Sequence, residues 1–347
     1  MPHLSTEEGL AGIAWLMVAP GKGILAADES TGTIEKRLKS VDVLSTEETR
    51  RAYRQMLLGT AGLEEFISGV ILYDETLRQK TTDGVPFAEW LSGHGILAGI
   101  KVDKGAKLLS NFPGEKITEG LDGLRERLAE YHRLGARFTK WRAVIGIGPA
   151  LPSRGCLAAN AQALARFAAL SQEAGLVPIV EPEVLMEGDH SLETCEATTA
   201  LALKIVFDAL FEQRVALDQM LLKPNMVIPG MKCPQPASVA EVAETTLRCL
   251  RRVVPAAVPG IVFLSGGQSE VQATQHLNAL NQIGTAPWEL SFSYGRALQH
   301  SALETWRGQP ANVKAAQAML YHRTKCNSAA RSGKYTEQME NHPAAVA

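Results

Sequence analysis

The 347-residue chain has few cysteines and no long apolar run. Its five cysteines are scattered, odd in number and never in a C-x-x-C pair: Cys156, Cys195, Cys233, Cys249 and Cys326. This spacing argues against a disulfide framework and favours reduced thiols. No apolar segment approaches the length of a membrane span, and residues 1–8 lack the basic start of a signal peptide. We therefore expect a cytoplasmic protein.

Charge and histidine patterns argue against further classes of ligand. The net charge is only −2, so no global field would attract nucleic acid or an anionic membrane. The eight histidines are dispersed without H-x-x-x-H or a similar ligand spacing, which argues against a catalytic metal site. A G-x-G-x-x-G turn after the first predicted strand would favour a doubly wound, dinucleotide-binding sheet. No such turn is present there. We expect neither a metal nor a cofactor.

Short β-type runs alternate with helical patterns along the chain. There are eight such runs, most of them rich in Val and Ile and most of them ending in polar or charged residues: 23–29, 69–75, 99–104, 137–144, 177–183, 219–227, 260–267 and 290–296. This pattern is typical of parallel strands buried on both faces. Eight alternations favour a single α/β (β/α)8 TIM barrel over a doubly wound sheet or two domains. We predict the barrel over residues 1–326 and a mobile, polar C-terminal tail over 327–347.

Two long helices between the predicted strands have recognisable boundaries. The sequence Ser238-Val239-Ala240-Glu241 is a capping-box start, and the helix that follows should run to about Val253. Residues 191–214 form a second long helical candidate.

One lysine stands in an unusual place. Lys223 lies within the apolar run 221–227, and Pro224 follows it directly. A buried ammonium group is costly unless it is paired or deprotonated, and a neutral lysine amine is a nucleophile. The segment therefore predicts Schiff-base formation with a carbonyl substrate. The alternative is a lysine whose ammonium group extends to solvent at a strand end.

Polar or charged side chains lie near the ends of almost every predicted strand. Strand alternation places them towards one face, in chain order Asp28, Lys101 and Asp103, Lys140 and Arg142, Glu181 and Glu183, Lys223 and Asn225, Ser265, and Arg296. Taken singly, each is compatible with a solvated strand end or a structural ion pair. In a closed barrel they converge on one pocket. There Lys140 would lower the pKa of Lys223, and Glu181 could transfer protons during imine formation.

The surplus of cations in this set suits an anionic substrate. The loop Ser265-Gly266-Gly267 follows the seventh strand, where barrels commonly bind phosphate through backbone N–H groups. A second anion site is possible at Ser30, Thr33 and Arg37, where the chain enters its first helix. Simple helix capping explains that second group equally well.

Seven segments, in the same order along the chain, resemble class I fructose-bisphosphate aldolases. They are LAADESTG at 25–32, GIKVDKG at 99–105, KWR at 140–142, IVEPE at 179–183, LKPNM at 222–226, FLSGGQS at 263–269 and FSYGRAL at 292–298. The likeness runs from about residue 5 to Thr336. It implies a metal-free barrel, usually a homotetramer, that reversibly cleaves fructose 1,6-bisphosphate into dihydroxyacetone phosphate and glyceraldehyde 3-phosphate in glycolysis and gluconeogenesis.

The resemblance also implies roles for the strand-end residues. Lys223 would be the Schiff-base lysine, Glu181 its general acid and base with support from Glu183, and Asp28 would assist carbon–carbon cleavage near the C4 hydroxyl. Lys140 would stabilise the imine-forming site and lower the pKa of Lys223. The substrate-binding residues would be Ser265, Gly266, Gly267 and Arg296 around the C1 phosphate, Ser30, Thr33 and Arg37 nearer the C6 phosphate, and Lys101 and Arg142.

The resemblance weakens at the C-terminal end. Many members of the family end in a tyrosine whose phenol helps to protonate the enamine, whereas this sequence ends in HPAAVA. Its last tyrosine, Tyr335, matches an internal tyrosine of the family. We hypothesise that water or another acid protonates the enamine. Proton exchange between dihydroxyacetone phosphate and solvent tests this, and strong slowing after removal of the residues beyond Thr336 would contradict it.

Three alternative functions differ in what they require. A transaldolase-type Schiff-base barrel would transfer rather than release the three-carbon unit. A non-catalytic scaffold would show damage among Asp28, Lys140, Glu181 or Lys223, and all four are present. A metal-dependent aldolase would lose its activity on chelation.

Overall fold

Eight parallel strands close into one barrel in the computed structural model, which describes residues 9–284 and 286–341. The strands are β1 Gly23–Ala27, β2 Ile67–Leu72, β3 Leu97–Lys101, β4 Phe138–Ile145, β5 Val177–Val184, β6 Leu221–Leu222, β7 Gly260–Phe263 and β8 Glu289–Tyr294. Their order around the barrel follows the chain, and β1 pairs with β8 to close it. The predicted TIM barrel is confirmed.

Twelve α-helices are assigned in the described part of the chain, and most of them surround the barrel. They are α1 Leu10–Met17, α2 Thr31–Lys39, α3 Glu47–Leu58, α4 Asp74–Arg78, α5 Phe87–Gly93, α6 Leu124–Arg133, α7 Arg154–Glu173, α8 Leu192–Glu212, α9 Val239–Val253, α10 Glu270–Ile283, α11 Arg296–Trp306 and α12 Val313–Arg331. Helix α9 begins with the predicted capping box of Ser238 and Glu241. Among the described residues, no helix is long and apolar enough to cross a membrane.

The barrel interior changes from apolar to charged along the strands. Its lower part is one packed cluster that includes Met17 of α1, Ile24 of β1, Phe138 of β4 and Ile179 of β5. The Phe138 ring fits because neighbouring β3 carries Gly99, where an added methyl group would overlap the ring. On β1, β3, β4, β5 and β6, a charged residue follows the floor residue two or four positions later and lies on the same inward face. The fold therefore places the ionisable groups together above an apolar floor.

Strand β6 is shorter than the run 219–227 that the sequence predicts. Residues Leu217–Gln219 form a 3-10 turn, and the assigned strand covers only Leu221–Leu222. The Lys223 backbone N–H still donates to the Val180 carbonyl at 2.8 Å. Pro224 has no N–H to continue the ladder, so the regular strand ends where Lys223 enters the barrel opening.

A short antiparallel hairpin was not predicted. Its strands, Ala106–Leu108 and Lys116–Thr118, lie between β3 and α6. The Thr118 hydroxyl donates to the Arg142 carbonyl at 2.8 Å, which fixes the hairpin beside the end of β4.

The predicted boundary between barrel and tail at residues 326 and 327 falls inside α12. Asn327 is buried there, its amide donates to the Arg323 carbonyl at 2.8 Å, and it accepts from the Thr274 hydroxyl at 3.1 Å. Further along, the Tyr335 backbone N–H donates to Asn278 at 3.0 Å. These contacts attach the first part of the predicted tail to the barrel helices. Its mobility stays a prediction, and residues 342–347 lie outside the described residues.

Candidate active site

Four buried charged side chains meet at the carboxyl ends of the strands. Lys140 of β4 lies between two carboxylates, with its Nζ 2.9 Å from Asp28 Oδ2 and 2.9 Å from Glu181 Oε2. The other Glu181 oxygen, Oε1, is 3.4 Å from Lys223 Nζ. None of the four residues is more than 9% exposed. The structure thus links strands β1, β4 and β5 to Lys223 through alternating cations and anions.

Mutual pairing allows these charges to remain ionised away from water. Burial by itself would raise the pKa of Asp28, but the charges of Lys140, Lys223 and Lys101 hold it well below its ordinary value. Glu181 responds in the same way: its burial is outweighed by Lys140, Lys223 and Arg142, which lower its pKa. Burial opposes the charge of Lys140, yet the two carboxylates raise its pKa. Lys140 is therefore held firmly as an ammonium ion.

Lys223 differs from Lys140 in its balance of charges. Burial is the largest influence and lowers its pKa, and the Lys140 charge lowers it further. The Glu181 and Asp28 carboxylates oppose this shift but do not cancel it. Because Lys140 has the closer contacts to both carboxylates, Lys223 is the lysine whose protonated form is disfavoured. The geometry favours a nucleophilic amine at Lys223 and a permanent cation at Lys140.

Two further ion pairs extend the charged layer along neighbouring strands. The Arg142 guanidinium pairs with Glu183, and the Lys101 ammonium lies 3.0 Å from Asp103 Oδ1. The other oxygen of Asp103 accepts from the Arg142 backbone N–H at 3.2 Å. Arg142 and Lys101 remain partly exposed, so both cations lie within reach of the barrel opening. The charged residues of this set lie together as predicted. Asn225, which was predicted to share a face with Lys223, instead donates to the Thr199 hydroxyl of α8 at 3.2 Å and accepts from the Val184 N–H at 3.0 Å.

The loop after β7 offers backbone groups to a ligand. Gly266 adopts a left-handed conformation with φ of 54°, which side-chain-bearing residues rarely adopt. Arg296, at the start of α11, donates from Nη2 to the Gly266 carbonyl at 2.7 Å. The guanidinium and the Ser265-Gly266-Gly267 segment are thus adjacent, as an anion site after strands seven and eight requires. The Gly267 N–H donates to the thioether of Met186, which a phosphate bound to this N–H would displace.

Sequence reasoning missed the side chains that support this loop. Gln268 donates to the Ser265 carbonyl at 3.1 Å, and its own carbonyl oxygen contacts Nδ1 of His276 on α10. Burial lowers the pKa of His276 to about 4, so the imidazole is neutral and can donate from Nδ1. His276 has no distinctive spacing to any motif, so only the tertiary contact identifies it.

The residues proposed for a second anion site lie at the start of α2. Ser30 is the residue before the helix, but its hydroxyl makes no capping bond to the helix backbone and instead lies 3.2 Å from the Thr33 hydroxyl. Arg37 pairs with Glu29, which also pairs with the buried Arg54 at 2.7 Å. Glu29 and Arg54 were not singled out from the sequence. They hold the Arg37 guanidinium beside the end of β1.

Comparisons with known proteins agree over nearly the whole chain. A model of the glycolytic family "Fructose-bisphosphate aldolase class-I" matches residues 9–346. The chain is 59% identical over 329 residues to a "Probable fructose-bisphosphate aldolase class 1" of Xanthomonas campestris pv. campestris, covering 94% of this chain and 98% of that protein. It is 53% identical over 330 residues to the "Fructose-bisphosphate aldolase" of Dictyostelium discoideum, covering 94% and 92%.

A solved structure resembles this fold closely. It is the fructose-bisphosphate aldolase of Plasmodium falciparum, determined in complex with TRAP and a small molecule inhibitor. The TM-score is 0.93 at 50% sequence identity, and the match covers 94% of this chain and 95% of that chain.

Proposed function

Because the chain belongs to the class I fructose-bisphosphate aldolase family, a family of lyases, we propose that its reversible cleavage of fructose 1,6-bisphosphate proceeds through a Schiff base on Lys223. This assignment depends on the position of Lys223. Its Nζ is buried and lies 3.4 Å from Glu181 Oε1, and Lys140 contacts the other oxygen of the same carboxylate. The products are dihydroxyacetone phosphate and glyceraldehyde 3-phosphate, and the reaction serves glycolysis and gluconeogenesis.

Imine formation requires a neutral amine and a group that moves protons. Neutral Lys223 attacks the ketose carbonyl and forms a carbinolamine. The ionised Glu181 carboxylate takes a proton from the attacking nitrogen and passes it to the carbinolamine oxygen. A second proton, taken up from solvent, lets this hydroxyl leave as water and leaves the imine protonated, and the same steps run in reverse when the imine is hydrolysed. Glu183 supports this carboxylate through Arg142, whose charge lowers the pKa of Glu181.

Carbon–carbon cleavage then uses the protonated imine as an electron sink. Asp28, ionised because Lys140 holds its pKa low, accepts the proton of the C4 hydroxyl. The C3–C4 bonding electrons move into the imine to give an enamine, and glyceraldehyde 3-phosphate leaves. Protonation of the enamine at C3 and hydrolysis of the imine release dihydroxyacetone phosphate and restore the amine.

The cationic rim gives the substrate two phosphate sites. Ser265, Gly266, Gly267 and Arg296 bind the C1 phosphate, and Ser30, Thr33 and Arg37 bind the C6 phosphate. Lys101 and Arg142 complete the positive lining between the two sites. We further propose that the enzyme is a cytoplasmic homotetramer that requires no metal for catalysis and binds neither nucleic acid nor membrane.

Borohydride trapping tests the nucleophile directly. Reduction in the presence of dihydroxyacetone phosphate should attach the three-carbon unit to Lys223, as located by peptide mapping. Lys223→Met should abolish the adduct and lower kcat by at least ~10⁴-fold, since it removes the covalent route. The exposed Lys104 provides a matched control, because Lys104→Met should keep both label and activity. A label on any other residue would overturn the assignment.

Substrate analogues test the two phosphate sites. Arg37→Gln should raise KM for fructose 1,6-bisphosphate by roughly 10-fold or more, the worth of one charge-assisted hydrogen bond. It should leave KM for fructose 1-phosphate nearly unchanged, because that substrate lacks the C6 phosphate. Arg296→Gln should raise KM for both substrates. An equal effect of Arg37→Gln on both substrates would show that Arg37 does not serve the C6 phosphate.

A further inference from the structure

A second cluster of reactive side chains lies away from the barrel opening, where α12 meets the last described segment. His322 and Cys326 are one turn apart on α12, and Glu340 belongs to the 3-10 turn Glu337–Asn341. His322 Nε2 is 3.6 Å from Cys326 Sγ and 3.8 Å from Glu340 Oε2. The proposed aldolase mechanism uses none of these three residues. We call them the α12 cluster.

The separations within the α12 cluster suit a tetrahedral metal ion. A zinc ion with Zn–N of about 2.0 Å and Zn–S of about 2.3 Å holds those two ligand atoms about 3.6 Å apart. This is the separation found between His322 and Cys326. A zinc-bound nitrogen and oxygen lie about 3.4 Å apart, so the 3.8 Å between His322 Nε2 and Glu340 Oε2 needs to shorten by only a few tenths of an ångström. All three ligand atoms already lie within 4.8 Å of one another.

The ligand types suit zinc, with one proton to be displaced from the thiol. Burial lowers the pKa of His322, so its imidazole is neutral and Nε2 can offer a lone pair. Burial raises the pKa of Cys326 to about 11, so the thiol is protonated until a metal displaces the proton. His and thiolate ligands together favour zinc over magnesium or calcium.

Two neighbours hold the third ligand in place. The Tyr335 hydroxyl donates to Glu340 Oε1 at 2.7 Å, and the Arg323 guanidinium contacts Oε2. Such second partners orient metal-bound carboxylates. Arg323 also repels a cation, but zinc binding adds a thiolate beside the Glu340 carboxylate. The two anions together offset much of the charge of the metal and the guanidinium.

We propose that His322, Cys326 and Glu340 form a zinc site, with water as the fourth ligand, that fastens the Glu337–Asn341 turn to α12. The role is structural, and the site is independent of the Schiff-base mechanism. Binding exchanges the thiol proton of Cys326 for the metal and releases that proton to solvent. The sequence pattern is His-x-x-x-Cys with a carboxylate 14 residues after the cysteine, which a search for paired histidines does not detect.

Cobalt titration tests the site in the full-length, reduced, metal-free protein. Co²⁺ should bind at one ion per chain and give both a thiolate-to-metal charge-transfer band and the intense visible bands of tetrahedral coordination. One equivalent of Zn²⁺ should abolish both. Cys326→Ser should lose the charge-transfer band. Cys249→Ser removes another fully buried thiol and should keep the wild-type spectrum.

A third variant separates metal binding from folding. Glu340→Gln alters a ligand on a partly exposed turn rather than in the helix interior, and it should weaken Zn²⁺ binding at least tenfold while aldolase activity persists. Absence of stoichiometric Co²⁺ binding by the wild-type protein would overturn the proposal. So would a thiolate band that survives in Cys326→Ser, since it would assign the metal to another cysteine such as the less buried Cys233. Neither result would affect the borohydride labelling of Lys223.

Discussion

The contact between Lys140 and two carboxylates is the constraint on which the active site depends. Its ammonium group lies 2.9 Å from both Asp28 and Glu181, and these two carboxylates raise its pKa against the effect of burial, so it stays charged. This fixed cation keeps both carboxylates ionised and opposes a second positive charge on Lys223. Removing one partner of a buried ion pair commonly lowers the stability of a fold by about 3–5 kcal/mol, because the other charge is left buried without a partner. The surrounding structure must therefore be a frame that holds these charges in contact.

The barrel supplies that frame through its two-residue side-chain alternation. On β4, Phe138 packs into the apolar floor and Lys140 enters the charged layer. On β5, Ile179 and Glu181 repeat this arrangement. The apolar layer excludes water from below, which increases the influence of each charge on its neighbours. Packing in the floor and electrostatics at the top are therefore consequences of the same strand geometry.

Much of this could be predicted from sequence because it follows from periodicity. Inward alternation on β4 and β5 places Lys140 and Glu181 correctly, and the order of the strands places Ser265 and Arg296 together. The predicted end of β6 was wrong because the apolar composition continues past Pro224. Pro224 has no backbone N–H to donate to the neighbouring strand, so the regular hydrogen bonding stops before it. The support of the phosphate loop by His276 and the pairing of Arg54 with Glu29 depend on tertiary contacts between distant residues, which no local pattern encodes.

The central claim is that burial and the Lys140 charge together lower the pKa of Lys223, and the pH dependence of Schiff-base trapping in Lys140→Met tests the Lys140 contribution most directly. Removing the Lys140 charge leaves Lys223 as the nearest cation to Glu181, so the pKa of Lys223 should rise. The rate of borohydride trapping with dihydroxyacetone phosphate should then begin to increase only at higher pH than in the wild-type protein or in Lys104→Met. A trapping profile in Lys140→Met that coincides with wild type, or moves to lower pH, would contradict the account.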